Sequence, residues 1–260
     1  MTGRKRPIIT LKAFAPACSV FLLSIGIVQA EDLSQATPTA PFTLPELPSG
    51  WFVKLGGLAA INQSSTRLYA QTIVGPFGVG PQLLIPGRGE SLSNLFTLSF
   101  QSGYFVTPNW SVETAGGFPV WQTVRITGFS ATPPFAGTIL VKQAPAVAPI
   151  TIVYHVRQLA AFQPYAGVGI APFFVFKERD SFATGNSTEP SLALVLQGGV
   201  DYMFSPNWGV FFDAKKYFDR SIGKATGLNF GPPTGAVHLA ATAVTNSQPW
   251  VLSTGLTYRF

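Results

Sequence analysis

The chain ends on Trp250-Val-Leu-Ser-Thr-Gly-Leu-Thr-Tyr-Arg-Phe260, and this stretch carries its clearest structural signal. Successive side chains of a strand point to opposite faces. One face, which includes both terminal aromatics, is mainly apolar, whereas the other is small or polar and carries Arg259. A strand of a transmembrane barrel has this pattern, because its outward face contacts lipid and its ends lie in aromatic girdles. The stretch therefore predicts a barrel strand.

Residues 1–30 have the three parts of a secretory signal. Basic residues come first, an apolar segment runs from about residue 14 to 28, and Val28-Gln-Ala30 supplies a small-residue cleavage pattern. Cys18 lies inside this segment, so the mature chain has no cysteine and no disulfide. We predict a cleaved signal peptide at 1–30, followed by a proline-rich periplasmic lead-in at 31–50.

The basic balance of the whole chain comes mostly from the predicted signal. The signal holds four of the 17 Lys and Arg residues, which leaves 13 against 11 acidic residues. The mature chain is then nearly neutral, and its charge gives no support to nucleic-acid binding. Few charges and many apolar residues, without one long apolar run, favour a sheet that faces lipid on one side.

Apolar and turn signals divide residues 51–260 into eight predicted strands with alternately short and long connections. Short periplasmic turns and long extracellular loops are typical of outer-membrane barrels. The predicted fold is all-β: an eight-stranded antiparallel up-and-down transmembrane β-barrel. The strands are placed at about 51–62, 92–105, 109–126, 145–157, 163–177, 191–204, 208–220 and 249–260.

Two of the short turns nearly repeat one another. Tyr104-Phe-Val-Thr-Pro-Asn-Trp110 resembles Tyr202-Met-Phe-Ser-Pro-Asn-Trp208, and both combine the turn residues Pro and Asn with flanking aromatics. The aromatics fall at the same depth on neighbouring strands. We predict a periplasmic aromatic girdle that contains Trp51, Trp110, Trp208, Tyr258 and Phe260.

On the predicted strands, the positions that alternate with the apolar, outward-facing ones carry nearly every charge placed in mid-strand. A Lys or Arg on the lipid face at the bilayer midplane costs about 2–4 kcal/mol, so these side chains are assigned to the lumen. Their expected role is to pair with one another inside a narrow barrel. The predicted lumen network is Lys54, Gln101, Glu113, His155, Gln197, Asp201, Asp213, Lys215 and Arg259.

The predicted extracellular loops are apolar for segments that meet water. Contiguous exposed apolar surface marks ligand or partner sites. One hypothesis is that the loops form an apolar entrance over the barrel mouth, and the alternative is that they extend the strands or pack on one another. The candidate entrance residues are Phe77, Leu83, Leu84, Ile85, Phe135, Ile139, Leu140 and Leu239.

Several of these segments resemble one family of outer-membrane proteins. Gln163-Pro-Tyr-Ala-Gly-Val-Gly-Ile-Ala-Pro-Phe-Phe174, the hairpin from Gly198 to Trp208 and the ending from Ser253 to Phe260 are similar in order and spacing to strands of the OmpW family. The resemblance implies a monomeric eight-stranded barrel that admits small hydrophobic molecules through the outer membrane. It also implies that a ligand can leave sideways into the bilayer.

The resemblance places the protein in the outer membrane of a Gram-negative bacterium, and we expect its partners to be outer-membrane lipid and hydrophobic solutes. The C-terminal strand that ends at Phe260 is the expected contact for the insertion machinery. No cofactor or metal is expected, because the mature chain lacks cysteine and His155 and His238 lie far apart.

Two other functions stay open at this point. One is a structural or adhesive surface barrel with a closed lumen. The other is a lipid-modifying enzyme, for which His155 and His238 are the available bases. No serine has a spacing that places it beside His155, and His238 has Ser247 and Ser253 available but no nearby acid, so we expect no enzyme.

Overall fold

The computed structural model describes residues 50–72, 80–84, 89–127, 137–157, 159–229 and 236–260. The predicted signal peptide and nearly all of the predicted lead-in lie outside these residues. So do three candidate entrance residues, Phe77, Ile85 and Phe135, and the side chain of Leu239. In the described part, no helix is long and apolar enough to cross a membrane.

The described chain forms sixteen antiparallel strands, which confirms the predicted all-β class. The strands are β1 (Trp51–Ile61), β2 (Ser64–Thr72), β3 (Leu83–Leu84), β4 (Gly89–Leu92), β5 (Leu95–Phe105), β6 (Trp110–Gly117), β7 (Gln122–Thr127), β8 (Ile139–Val147), β9 (Ile150–His155), β10 (Phe162–Asp180), β11 (Ala183–Thr184), β12 (Ser187–Thr188), β13 (Ser191–Met203), β14 (Trp208–Asn229), β15 (Ala236–Ser247) and β16 (Trp250–Arg259).

Eight of these strands close into a ring. The order is β1-β5-β6-β9-β10-β13-β14-β16, and β16 returns to β1 through a ladder from Phe52↔Arg259 to Ile61↔Trp250. Closure satisfies the backbone donors and acceptors that an open sheet edge would leave unpaired. The C-terminal stretch therefore forms the closing strand of the predicted barrel.

Side chains alternate around the ring as the sequence predicts. Large apolar residues of the outward positions are exposed, such as Phe96, Leu98 and Leu192. Inward positions of the same strands are buried. In a water-soluble protein such side chains would be buried in the core, whereas on the outward face of a membrane barrel they contact lipid.

The predicted strand boundaries hold within two residues at the short turns, and at the other end of the barrel they hold for 51–62, 191–204 and 249–260 but are wrong for 109–126, 145–157 and 208–220. We call the two ends of the barrel the turn end and the loop end. The predicted strand 109–126 is broken between β6 and β7 at residues 118–121, and 145–157 is broken between β8 and β9 at Ala148 and Pro149. Proline lacks the N–H that a strand ladder needs, and Pro119 and Pro149 lie at these two breaks.

The predicted long loops contain strands that extend the barrel wall. β14 runs on to Asn229, nine residues past its predicted end at 220, and pairs with β15, which in turn pairs with β2. β8 pairs with β7, and β7 pairs with β4. The alternative reading, in which loop segments extend the strands, therefore holds for these residues.

One glycine pair lets two strands of the ring approach closely. Gly56 of β1 lies opposite Gly255 of β16. A Cβ added at Gly56 would lie 1.9 Å from the carbonyl oxygen of Thr254, and one added at Gly255 would lie 2.0 Å from that of Leu55. Only a residue without a side chain fits such an approach.

Candidate functional site

The turn half of the barrel interior holds polar side chains from all eight ring strands, packed against buried apolar ones such as Phe52, Phe105 and Phe211. All nine residues of the predicted lumen network are buried there. They are joined by five further polar residues of the same inward parity. We call the set the polar plug: Lys54, Gln101, Ser111, Glu113, Thr151, His155, Gln163, Tyr165, Gln197, Asp201, Asp213, Lys215, Ser253 and Arg259.

Asp201 is the acceptor for two cations at the turn end of the polar plug. Its Oδ1 lies 2.8 Å from Nζ of Lys54, and its Oδ2 lies 3.0 Å from Nη2 of Arg259. Arg259 also donates from Nη1 to Oε1 of Gln163 at 2.8 Å. Nζ of Lys54 lies 4.3 Å from the ring centre of Tyr165, so a ring face covers this ammonium group as well.

Asp213 is the centre of the second group. It pairs with Lys215 and accepts hydrogen bonds from the Tyr165 hydroxyl at 3.0 Å and from Nε2 of Gln197 at 2.9 Å. Lys215 also donates to Oε1 of Gln101 at 3.1 Å. These bonds cross the lumen from β14 to β5, β10 and β13.

Glu113 connects the two sides through an amide and a histidine. Its Oε2 accepts from Gln197 at 2.9 Å, and its Oε1 lies 3.1 Å from Nε2 of His155. Ser111 lies 3.0 Å from the same Nε2, so the expectation that no serine stands beside His155 is wrong. Ser111 lies two residues before Glu113, so it has the same parity and faces the lumen. Because a serine is uncharged, the sequence alone does not distinguish it from other strand serines.

This Ser-His-Glu group lacks the arrangement of a hydrolase triad. In a triad the acid bonds one ring nitrogen and the serine bonds the other. Here both bond Nε2, and Nδ1 of His155 has no hydrogen-bond partner. Ser111 and His155 are fully buried, so no substrate reaches them. The group contributes to closing the lumen.

The polar plug is balanced in charge. It contains three cations, Lys54, Lys215 and Arg259, and three carboxylates, Glu113, Asp201 and Asp213, each within the network of bonds described above. Buried charges are tolerated when they are paired and hydrogen-bonded. The plug therefore fills the turn half of the lumen with a charge-balanced, hydrogen-bonded network, in which Nδ1 of His155 and Nε of Arg259 have no partner among the described residues.

The loop half of the interior is different, because it holds a cavity of about 370 Å³. That volume lies within the range of small-molecule sites. Its floor lies on a layer of buried residues above the plug, which includes Ala193 and Tyr217. Its upper wall is mostly apolar and includes Leu92, Val124, Ile126, Leu140 and Phe182.

One carboxyl group faces this apolar wall. Glu90 lies opposite Ile126 in the β4–β7 ladder and lines the cavity. Its side chain has no ion pair or hydrogen bond within the described part of the chain. Burial raises the pKa of Glu90 to about 7, because a low-polarity surrounding disfavours the charged form.

The backbone ladder of the cavity wall is interrupted between β6 and the β8–β9 junction, and we call this interruption the side opening. The β6–β9 ladder ends at Thr114↔Ile150, and no further ladder joins β6 to β8 in the described residues. Gly116 lies on the outward face of β6, opposite the exposed Phe100 of β5, and a Cβ added there would meet nothing within 4 Å. The N–H of Ala148 points the other way, to the carbonyl of Pro172 on β10. The side opening is bounded by residues 115–117 and 145–149, which with the exception of Ala148 line the cavity.

The described entrance residues occupy different places. Leu140 is buried in the cavity wall and Ile139 is half-buried, whereas Leu83 and Leu84 are exposed on β3. The predicted girdle residues lie together at the turn end, where Trp51, Trp110 and Trp208 each contact a tyrosine ring at 4.7–5.1 Å between centres. Tyr258 contacts Phe260 at 5.0 Å.

Comparison with known proteins identifies the family. The OmpW family model matches residues 87–260. The chain belongs to the OmpW family. It is similar to the outer-membrane protein y4mB of Sinorhizobium fredii, with 27% identity over 214 residues that cover 82% of this chain and 80% of y4mB. It also matches PahQ of Pseudomonas aeruginosa, a dibenzothiophene metabolism operon protein, with 26% identity over 52% of this chain and 61% of PahQ.

The fold of this OmpW-family protein matches a solved structure. The crystal structure of the outer membrane protein OprG from Pseudomonas aeruginosa aligns with a TM-score of 0.66 and 18% identity, covering 81% of this chain and 96% of OprG. The ring of strands and the membership in the OmpW family together make this protein an eight-stranded barrel of the Gram-negative outer membrane. In such barrels the short turns face the periplasm and the long connections face outward, so the cavity lies on the extracellular side.

Proposed function

We propose that this protein admits small, mainly apolar molecules from outside into the cavity and releases them through the side opening into the outer membrane. The observation that carries the proposal is the contrast inside the barrel. An apolar cavity with an interrupted wall lies directly above a charged plug whose side chains bond to one another. A solute in the cavity meets a route into lipid but no route to the periplasm.

The charge balance of the polar plug supports the sideways route. A solute that moved down the lumen would have to separate ion pairs such as Lys54–Asp201 and leave the partners unsatisfied. Breaking a buried pair costs about 3–5 kcal/mol. Leaving sideways breaks no ladder at residues 115–117, because none is present on that side in the described chain.

The relatives support the class of solute. PahQ is named for a dibenzothiophene metabolism operon, and dibenzothiophene is an uncharged aromatic molecule. A molecule of that kind suits a cavity whose upper wall is formed by side chains such as Val124, Ile126 and Leu140. The solute of this chain is proposed by class and not by name.

Two glycine variants test the side opening. Gly116→Phe places a ring on the outer face of β6 at the edge of the side opening, whereas Gly57→Phe places the same ring on the outer face of β1, away from the opening; an added Cβ meets nothing within 4 Å at either position. We expect uptake of an uncharged aromatic probe by liposomes containing the protein to fall several-fold for Gly116→Phe and to stay unchanged for Gly57→Phe.

The paired plug also suits a second function, a closed structural or adhesive barrel. A closed barrel predicts that liposomes with the wild-type protein take up no more of the probe than protein-free liposomes do. It also predicts no difference in uptake between the two glycine variants. Equal losses for both glycine variants would contradict the sideways route as well, because the control ring does not touch the opening.

A further inference from the structure

Four basic side chains form one outward face on the extracellular part of β7, β8 and β10. All four are exposed. Their strand positions alternate with the positions that face the cavity. On β7, for example, Val124 and Ile126 point inward, and Arg125 between them points outward. We call this set the basic face: Arg125, Lys142, Lys177 and Arg179.

The strand register places like charges directly opposite one another on the basic face. Arg179 of β10 lies opposite Lys142 of β8. Lys177 lies two residues before Arg179 and is on the same face of β10. Like charges that face each other across a ladder are destabilising. An arrangement of this kind is relieved by an anion that contacts both cations.

The described acidic residues have other partners or lie elsewhere. Three belong to the polar plug, and Glu90 faces the cavity. Asp180 accepts from Gly185 and Asn186, and Glu178 accepts from Thr188. The last two described acidic residues also have partners: Glu189 forms an ion pair with Lys224, and Asp219 accepts a hydrogen bond from Ser191.

The loop segments outside the described residues cannot supply the missing charge. Segments 73–79, 85–88, 128–136 and 230–235 contain no Asp or Glu. The remaining three acidic residues of the sequence stand at positions 31, 32 and 46, before the first barrel strand. The counter-charge of the basic face therefore has to come from outside the barrel.

The basic face begins where the lipid-facing surface ends. The guanidinium carbon of Arg179 lies 4.3 Å from the ring centre of Trp121, and Phe176 beside it is 61% exposed. Exposed aromatics of this kind mark the edge of the hydrocarbon layer in outer-membrane barrels. The four cations thus stand at the height of the outer-leaflet headgroups, with an arginine fork suited to phosphate.

We propose that the basic face binds the phosphate groups of the phosphorylated glycolipid that forms the outer leaflet. Lys142 and Arg179 bind one phosphate from opposite strands, and Lys177 and Arg125 extend the site along the membrane edge. This lipid site is separate from the solute route, because it lies on the outer face of the wall.

The test compares two double variants that each remove two positive charges. Lys142→Gln/Arg179→Gln changes the basic face, whereas Arg67→Gln/Lys224→Gln changes exposed cations on β2 and β14. Binding of lipid A with both phosphates, and of the same lipid with its phosphates removed, is measured by native mass spectrometry on the full chain in neutral detergent. We expect at least a tenfold loss of binding of the phosphorylated lipid for the first double variant and less than a twofold loss for the second.

A stability measurement separates binding from a folding defect. Without lipid, Lys142→Gln/Arg179→Gln should be at least as resistant to heat as the wild type, because it removes a like-charge pair. With phosphorylated lipid, only the wild type and the control should gain resistance. Equal binding of phosphate-free lipid, or equal losses in both double variants, would overturn the proposal.

Discussion

The two halves of the barrel interior use the same strands and the same inward parity for opposite purposes. On β13, Asp201 and Gln197 belong to the polar plug, whereas Val195 and Ala193 lie in the layer above it. On β14, Asp213 and Lys215 belong to the plug, and Tyr217 lies above. Strand parity therefore determines which side chains face inward, and the residue types along each strand determine whether that height is closed or open.

The difference between the two halves explains why the charged half, the polar plug, is the half that closes the lumen. Plug side chains bond to one another across the lumen, as Lys54 does to Asp201 and Lys215 to Gln101, so they hold one another in place. Apolar side chains have no such directional partners, and small ones such as Ala193 leave room above them. The cavity therefore lies at the height where the inward side chains are mainly apolar and where small residues such as Ala241 and Ala243 are part of the lining.

The largest effect is expected from breaking the plug at Asp201. In Asp201→Asn, Lys54 and Arg259 stay buried and lose their shared counter-charge. The free energy of unfolding should fall by about 3–5 kcal/mol. Urea unfolding of the protein in lipid vesicles measures this change, and the exposed ion pair gives the control: Glu189→Gln should lose less than about 1 kcal/mol. A small effect at Asp201 would contradict the paired plug.

A smaller effect is expected where β1 and β16 approach between the two halves. Gly56→Ala places a methyl group against the backbone of Thr254, and we expect a loss of about 1–3 kcal/mol in the free energy of unfolding. Its neighbour Gly57 points to open space, so Gly57→Ala should stay within about 0.5 kcal/mol of the wild type. The same unfolding measurement decides, and equal values for both variants would refute the close approach.

The smallest effect concerns the carboxyl group in the cavity. Burial raises the pKa of Glu90 to about 7 from an ordinary value of 4.5, so the folded state binds its proton more tightly than the unfolded state. The contribution of Glu90 to stability should therefore fall as pH rises from about 4.5 to about 7 and stay level above. The full shift corresponds to about 3 kcal/mol, and because the Glu90 side chain is only half-buried, solvent screening reduces the expected change to the order of 1 kcal/mol. Glu90→Gln should remove this change.

The difference in unfolding free energy between wild type and Glu90→Gln, followed from pH 4.5 to 8, measures the Glu90 contribution. Glu189→Gln is the matched control, because its carboxylate is exposed and paired with Lys224. It should keep the pH profile of the wild type. A flat difference curve for Glu90→Gln would show that its carboxyl is solvated rather than buried.

The sequence predicts the ring of strands and their inward faces because alternation has a physical cause in the membrane. Lipid excludes Asp213 and Lys215 from one face and accepts Phe212 on the other. Beyond the headgroups this cause disappears. β2 and β15 are held by backbone ladders that leave no side-chain pattern, so the sequence indicates loops there.

The polar partners of the plug show a second limit of the sequence. Charged residues are conspicuous at mid-strand, but Ser111, Thr151 and Gln163 are common strand residues on many sheets. Their bonds depend on which strands meet across the lumen, and this follows from closure of the ring. The side opening depends in the same way on where Pro149 interrupts a ladder, which the sequence alone does not locate.

Labelling of single cysteines most directly tests whether the plug closes the barrel below the cavity. The mature chain is predicted to have no cysteine, so Val251→Cys introduces one thiol on the cavity lining and Val106→Cys introduces one in an exposed turn. A charged, water-soluble thiol reagent is added to one side of the membrane at a time. We predict that Val251→Cys reacts from the extracellular side only, whereas Val106→Cys reacts from the periplasmic side. Reaction of Val251→Cys from the periplasmic side at the rate of Val106→Cys would contradict the account.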